Sequence, residues 1–263
     1  MNENVIKTID DIVRHSSNKD LISIALVGSY ARGTQDKYSD IDFVCVYEDN
    51  PSPIFVEGKN KINGFQCGVR NIPLKYLEKR DWSQIEKHAY TYSKIIYEKN
   101  NQFNQLIKEK CVWRNNELKG LFSDTLVKLS YTLDMTDNYK NSFNDYEELE
   151  NSELRGCKFF SSQLKINVLK YALTLGLLRD EMFIPPDKVL LSDWVENNSP
   201  NAKKIYRKAK KVQDNFLNLG LEELRSLFSK EIYDIVLSFD EKHKLDDNIY
   251  NFRISYVRDY SIN

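Results

Sequence analysis

The chain is poor in the residues that build metal clusters and disulfide frameworks. Its 263 residues include four cysteines and three histidines. Cys45, Cys67, Cys111 and Cys157 form no Cys-x-x-Cys pair, and His15, His88 and His243 lie near none of them in sequence. This spacing argues against a zinc site and for reduced thiols acting as small core residues. Long apolar runs are missing as well. No stretch approaches the roughly eighteen residues of a membrane span. The first twenty residues are polar and charged, without the apolar centre of a signal peptide. Net charge is nearly absent: 38 Lys and Arg against 39 Asp and Glu leave −1. A general nucleic-acid binder carries a basic excess, so nucleic acid is not the expected partner. Internal repeats and low-complexity tracts are absent too. What remains is a globular composition, 41% hydrophobic and 29% charged, expected in the cytoplasm and long enough for one large or two small domains.

Periodicity divides the chain. Val5, Ile6, Ile9, Ile12 and Val13 recur at helical spacing. Leu21–Val27 and Ile41–Tyr47 read as apolar strands. After a turn cluster at Asn50–Pro53, two further strands are expected at 54–57 and 65–72, joined around the hairpin signal Asn63-Gly64. A helix is expected over 74–90, with a break at 81–83, and a last short strand at 93–97. Beyond Gln102 helical spacing takes over, at about 117–140, 147–177, 201–218 and 221–242. Pro185-Pro186 and Ser199-Pro200 punctuate that half. The expectation is a small mixed-sheet α/β domain over 1–114 and a helical bundle over 115–263, with the boundary near 112–117.

Chemistry concentrates between Leu26 and Val46, where the chain reads LVGSYARGTQDKYSDIDFVCV. Asp40 and Asp42 stand at i and i+2 at the mouth of a strand, so they point to one face and offer the hard oxygens that magnesium prefers. Gly28 lets backbone approach phosphates, Ser29 offers a hydroxyl and an N–H, and Arg32 adds a cation. Gly33 keeps the loop tight, and Ser39 is placed to cap or orient Asp40. A Gly-Ser turn alone is common, and an Asp-x-Asp alone is usually a solvated strand start. Their conjunction at this spacing has the parts of a magnesium–nucleotide site.

These residues resemble the signature of the DNA polymerase β-like nucleotidyltransferase superfamily, closely over 26–46 and more loosely to about residue 112. Within it, the segment from Tyr90 to Phe103 and the helical tail, with Gly176-Leu-Leu-Arg ahead of Pro185-Pro186, look most like bacterial antibiotic nucleotidyltransferases. The resemblance implies Mg²⁺ at Asp40 and Asp42, ATP as donor held by Gly28, Ser29, Arg32 and Ser39, and transfer of a nucleoside monophosphate to a hydroxyl of an aminoglycoside or lincosamide. A homodimer is also compatible with it.

One position departs from that pattern. The strand expected to bring a third carboxylate reads Phe65-Gln-Cys-Gly-Val-Arg-Asn-Ile-Pro73, and the acidic position falls on Gly68, with Gln66 and Arg70 on the same face. Glu57, on the preceding strand, is the nearest substitute in sequence; an acid of the helical half is another. Loss of catalysis, leaving a nucleotide-binding regulatory module, is a third explanation, and a protein acceptor a further alternative. In the helical half Asp134, Asp137 and Glu147, with interleaved Tyr139, Phe143 and Tyr146, suit a polycationic acceptor or are simply solvated helix ends.

Overall fold

The computed structural model describes residues 3–16, 20–49, 58–133 and 158–246. The chain forms two compact units, Met1–Val112 and Trp113–Asn263.

Unit one runs α1 (Glu3–Ser16), β1 (Leu21–Val27), α2 (Gly28–Arg32), β2 (Ile41–Tyr47), β3 (Gly58–Ile62), β4 (Phe65–Pro73), α3 (Leu74–Lys79), α4 (Gln84–Thr91), β5 (Lys94–Glu98) and α5 (Gln102–Lys110). Its five strands form a mixed sheet in the order β3-β4-β2-β1-β5. β2 and β4 are parallel and the other pairs antiparallel. β1 and β2 are buried on both faces and read as continuous apolar runs, as central strands must.

Each face has its own core. On one, Val5, Ile9 and Ile12 of α1 pack on Leu21, Ile24, Leu26, Phe43, Cys45 and Val69. On the other, Leu77, Trp82, Tyr90, Phe103 and Leu106, from α3, α4 and α5 with the α3–α4 connection, cover Ile22, Val44, Val46 and Ile72. Each large apolar side chain buried in this way contributes about 2 kcal/mol. The β3–β4 turn is made by Asn63 and Gly64, both with positive φ, and pairs Ile62 with Phe65, the geometry a tight hairpin requires. The described strand of that hairpin is 58–62; residues 54–57 lie outside the described residues. The break expected at 81–83 separates α3 from α4, where Ser83 and Glu86 form a capping box.

Unit two contains α6 (Asn115–Leu133), α7 (Lys158–Arg179), α8 (Asp187–Leu190), α9 (Asp193–Asn198), α10 (Pro200–Lys211) and α11 (Leu221–His243). Phe122 of α6 stacks on Phe239 of α11 with ring centroids 3.7 Å apart. At the start of α10, Ser199 Oγ donates to Asp180 Oδ2 (2.5 Å) and accepts from Ala202 N (3.1 Å), while Asn201 donates to both Asp180 oxygens. These bonds satisfy backbone groups a helix start leaves open. The helix expected over 201–218 ends at Lys211, and Phe216–Asn218 is a short 3-10 turn. The polar run Gln213-Asp214-Asn215 offers competing side-chain hydrogen bonds that favour turns. No described helix is long and apolar enough to cross a membrane.

Candidate active site

The first strand pair brings the signature residues together. β1 and β2 pair with Val27 opposite Asp42, so Gly28, the next residue along, lies beside that carboxylate. On the other flank, the parallel β2–β4 register sets Gly68 opposite Asp42, and the β3–β4 register sets Lys59 opposite Gly68. The row Val27, Asp42, Gly68, Lys59 therefore crosses four strands spaced about 4.8 Å apart.

Asp42 occupies a slot that two glycines leave open. A Cβ at position 28 would stand 2.6 Å from Asp42 Oδ2, and one at position 68 would overlap Asp42 Oδ1. Gly28 also has φ +71°, which glycine adopts without strain. Both of its features, the open space and the backbone angle, belong to the same carboxylate seat.

Asp40, Asp42, Lys59, Gly68 and Arg70 line one cleft of about 430 Å³, with Ile85, Glu86, Ala89 and Tyr90 of α4 forming its apolar-rich wall. Arg32 is partly buried at the end of α2. Burial pulls its pKa below the usual value, and the charge of Asp42 opposes that; a guanidinium stays charged regardless. Its Nε is buried and makes no hydrogen bond to the described residues.

Ser39 is engaged elsewhere than expected. Its hydroxyl donates to Asp36 Oδ1 (3.0 Å) and accepts from Asp36 N (3.0 Å), while Tyr38 N donates to the same carboxylate at 2.8 Å. These bonds fix the loop before Asp40, so Ser39 shapes the approach to the acid pair through the backbone. They also hold the Asp36 carboxyl below its ordinary pKa. Glu57, Asp134, Asp137 and Glu147 lie outside the described residues.

Three charged cleft residues escaped the sequence reading as site residues: Lys59, Arg70 and Glu86. Glu86 accepts from Ser83 N (3.1 Å), Ser83 Oγ (3.0 Å) and Arg80 Nη1 (2.9 Å), and pairs with Arg70 Nη1 at 3.6 Å. The Arg80 bond foremost, then the Ser83 bonds, push its carboxyl down to about 2. A group so acidic is a poor proton acceptor near neutral pH, and its role is to hold Arg70 and start α4. The pattern Ser83-x-x-Glu86 was readable as a capping box; its reach to Arg70 was not.

A pH dependence follows. Because folding lowers this pKa from 4.5 to about 2, the stabilisation is complete above pH 4.5 and is lost as pH falls toward 2. Glu86→Gln is expected to remove about 2–3 kcal/mol at neutral pH and to flatten stability between pH 4.5 and 2. Chemical denaturation across that range checks it. An unchanged acid limb in the variant would refute the assignment.

Among the described residues, no group of three or more His, Cys, Asp or Glu side chains is arranged to hold a metal ion. The acid pair alone still fits magnesium. It supplies hard carboxylate oxygens facing a cleft, beside a glycine that lets backbone approach, and magnesium keeps several waters.

The mixed sheet thus carries the Gly-Ser loop directly after β1 and the Asp-x-Asp at the start of β2, with the cleft opening at the acid pair. Residues 6–113 match the profile of the nucleotidyltransferase domain family, which covers unit one almost entirely. Among solved structures, the chain is similar to a nucleotidyltransferase-like protein from Exiguobacterium sibiricum 255-15. The identity is 16%, over 97% of this chain and 81% of that one, with a TM-score of 0.44. No curated protein sequence matches the chain.

Proposed function

We propose that the chain is a magnesium-dependent nucleotidyltransferase that moves AMP from ATP to a hydroxyl of a small acceptor, in the cytoplasm where ATP is available. The observation that carries this reading is the seat of Asp42: a carboxylate held between Gly28 of the phosphate loop and Gly68, in one cleft with Asp40. Gly28 and Ser29 receive phosphate oxygens, and Arg32, at the end of the same short helix, adds a positive charge. Asp40 and Asp42 would hold Mg²⁺, which supplies charge neutralisation at the phosphates. The acceptor oxygen bonds to the α-phosphorus, the bond to the bridging oxygen breaks, pyrophosphate leaves, and the hydroxyl proton passes to a base. Position 68 offers no carboxylate for that last task, so the base is a group other than residue 68.

A second reading, a catalytically silent nucleotide-binding module, is favoured by the same Gly68. An aminoglycoside or lincosamide is the acceptor that the sequence resemblance implies, and a protein acceptor uses the same cleft. Incubation with ATP labelled at the α-phosphate and a panel of aminoglycosides, lincosamides, sugar phosphates and proteins tests the proposal. Transfer is expected in the wild type and is expected to fall at least about a thousandfold in Asp40→Ala and Asp42→Ala. Mg·ATP binding that survives both substitutions, with no transfer by the wild type, would establish the silent module instead.

A further inference from the structure

Charge is distributed unevenly about Asp42. The phosphate loop follows β1 on one flank. On the other flank come Gly68 and then Lys59, with Arg70 two residues further along the same face of β4. Lys59 is exposed and Arg70 half-exposed, with both lining the cleft. Glu86 does not cancel Arg70, because Arg80 shares the same carboxylate at shorter range. The Arg70–Glu86–Arg80 chain keeps one net positive charge.

Phosphoryl transfer places the attacking and leaving oxygens roughly in line across the phosphorus. With the triphosphate on the β1 flank, the acceptor enters from the β4–β3 flank. We infer that the acceptor carries an anionic group, a phosphate or carboxylate near its reactive hydroxyl, which Lys59 and Arg70 receive. This rests on the nucleotidyl-transfer reading and replaces the polycationic amino sugar as the preferred acceptor class. A polycation entering on this flank meets two like charges. A phosphate or carboxylate there makes charge-assisted hydrogen bonds, with a forked guanidinium available at Arg70. The apolar α4 wall, Ile85 and Ala89, suits the carbon body of such a molecule.

The test uses calorimetry on the full chain, first saturated with Mg²⁺ and the non-hydrolysable α,β-methylene analogue of ATP. The loaded protein is then titrated with glycerol 3-phosphate, glucose 6-phosphate, their neutral parents and kanamycin. At least one phosphorylated probe is expected to bind about tenfold or more tightly than its neutral parent, and Lys59→Gln and Arg70→Gln are each expected to remove about tenfold of that affinity. The affinity for the ATP analogue is expected to hold in both variants. The inference is overturned if neither phosphorylated probe outbinds its parent or if kanamycin binds most tightly. Variants that weaken the analogue and spare the probe overturn it too, because the two cations then serve the donor phosphates. A wild-type chain that binds no Mg²⁺-analogue complex fails at the earlier step and defeats the nucleotidyl-transfer reading itself.

Discussion

Gly68→Ala is expected to lower nucleotidyl transfer about a hundredfold while shifting the thermal midpoint by no more than about 2 °C. The added methyl lands on Asp42 Oδ1, so the carboxylate has to swing away from β4. Asp42 therefore leaves its seat. A misplacement of about 1 Å in a catalytic group costs on the order of a hundredfold in rate. The fold barely responds, since the displaced atom is the far end of a side chain and no backbone has to move. A change of about 0.5 kcal/mol corresponds to 1–2 °C in a chain of this size. Gly68→Asp, the obvious way to supply a third acid, is expected to fail for the same reason, because its Cβ occupies the same point. Steady-state turnover and calorimetric melting of the two variants decide it. A Gly68→Asp variant more active than the wild type would refute the account of the slot.

The second large effect lies in unit two. Gly176 of α7 faces the start of α10 so closely that a Cβ would lie 2.5 Å from Ala202 N and 2.6 Å from Ala202 Cα. These are backbone atoms and cannot swing aside. Alanine gains about 1 kcal/mol of helix propensity, whereas overpacking against backbone costs about 3 kcal/mol or more. The balance is a loss of about 2 kcal/mol, read as a fall of roughly 4–8 °C in the melting transition of this unit. Differential scanning calorimetry checks it. A midpoint at or above that of the wild type would mean that α7 and α10 do not approach as described.

How far the fold was legible follows from where its signals lie. Strands β1 and β2 announced themselves as apolar runs, and the β3–β4 turn as Asn63-Gly64, because these are local features. α5 gave no such signal: only Phe103 and Leu106 of its nine residues are buried, too few to establish a period. The site divides in the same way. Gly28, Ser29, Asp40 and Asp42 are neighbours in sequence and were readable together. Lys59 and Glu86 join them through strand register and helix packing, which no window of sequence records. Gly68 stood out as a missing acid, but its partnership with Asp42 emerged only from the parallel register of β2 and β4.

The two-glycine seat also bears on the history open to this chain. Glycine and aspartate codons differ by one base, so position 68 stands a single nucleotide step from an acidic residue. That step alone sets a new Cβ against Asp42 Oδ1. A lineage carrying Gly68 would need the Asp42 carboxylate to shift before an acid could settle at this position. A short mutational distance thus conceals a barrier, and the present arrangement is guarded by geometry more than by the genetic code.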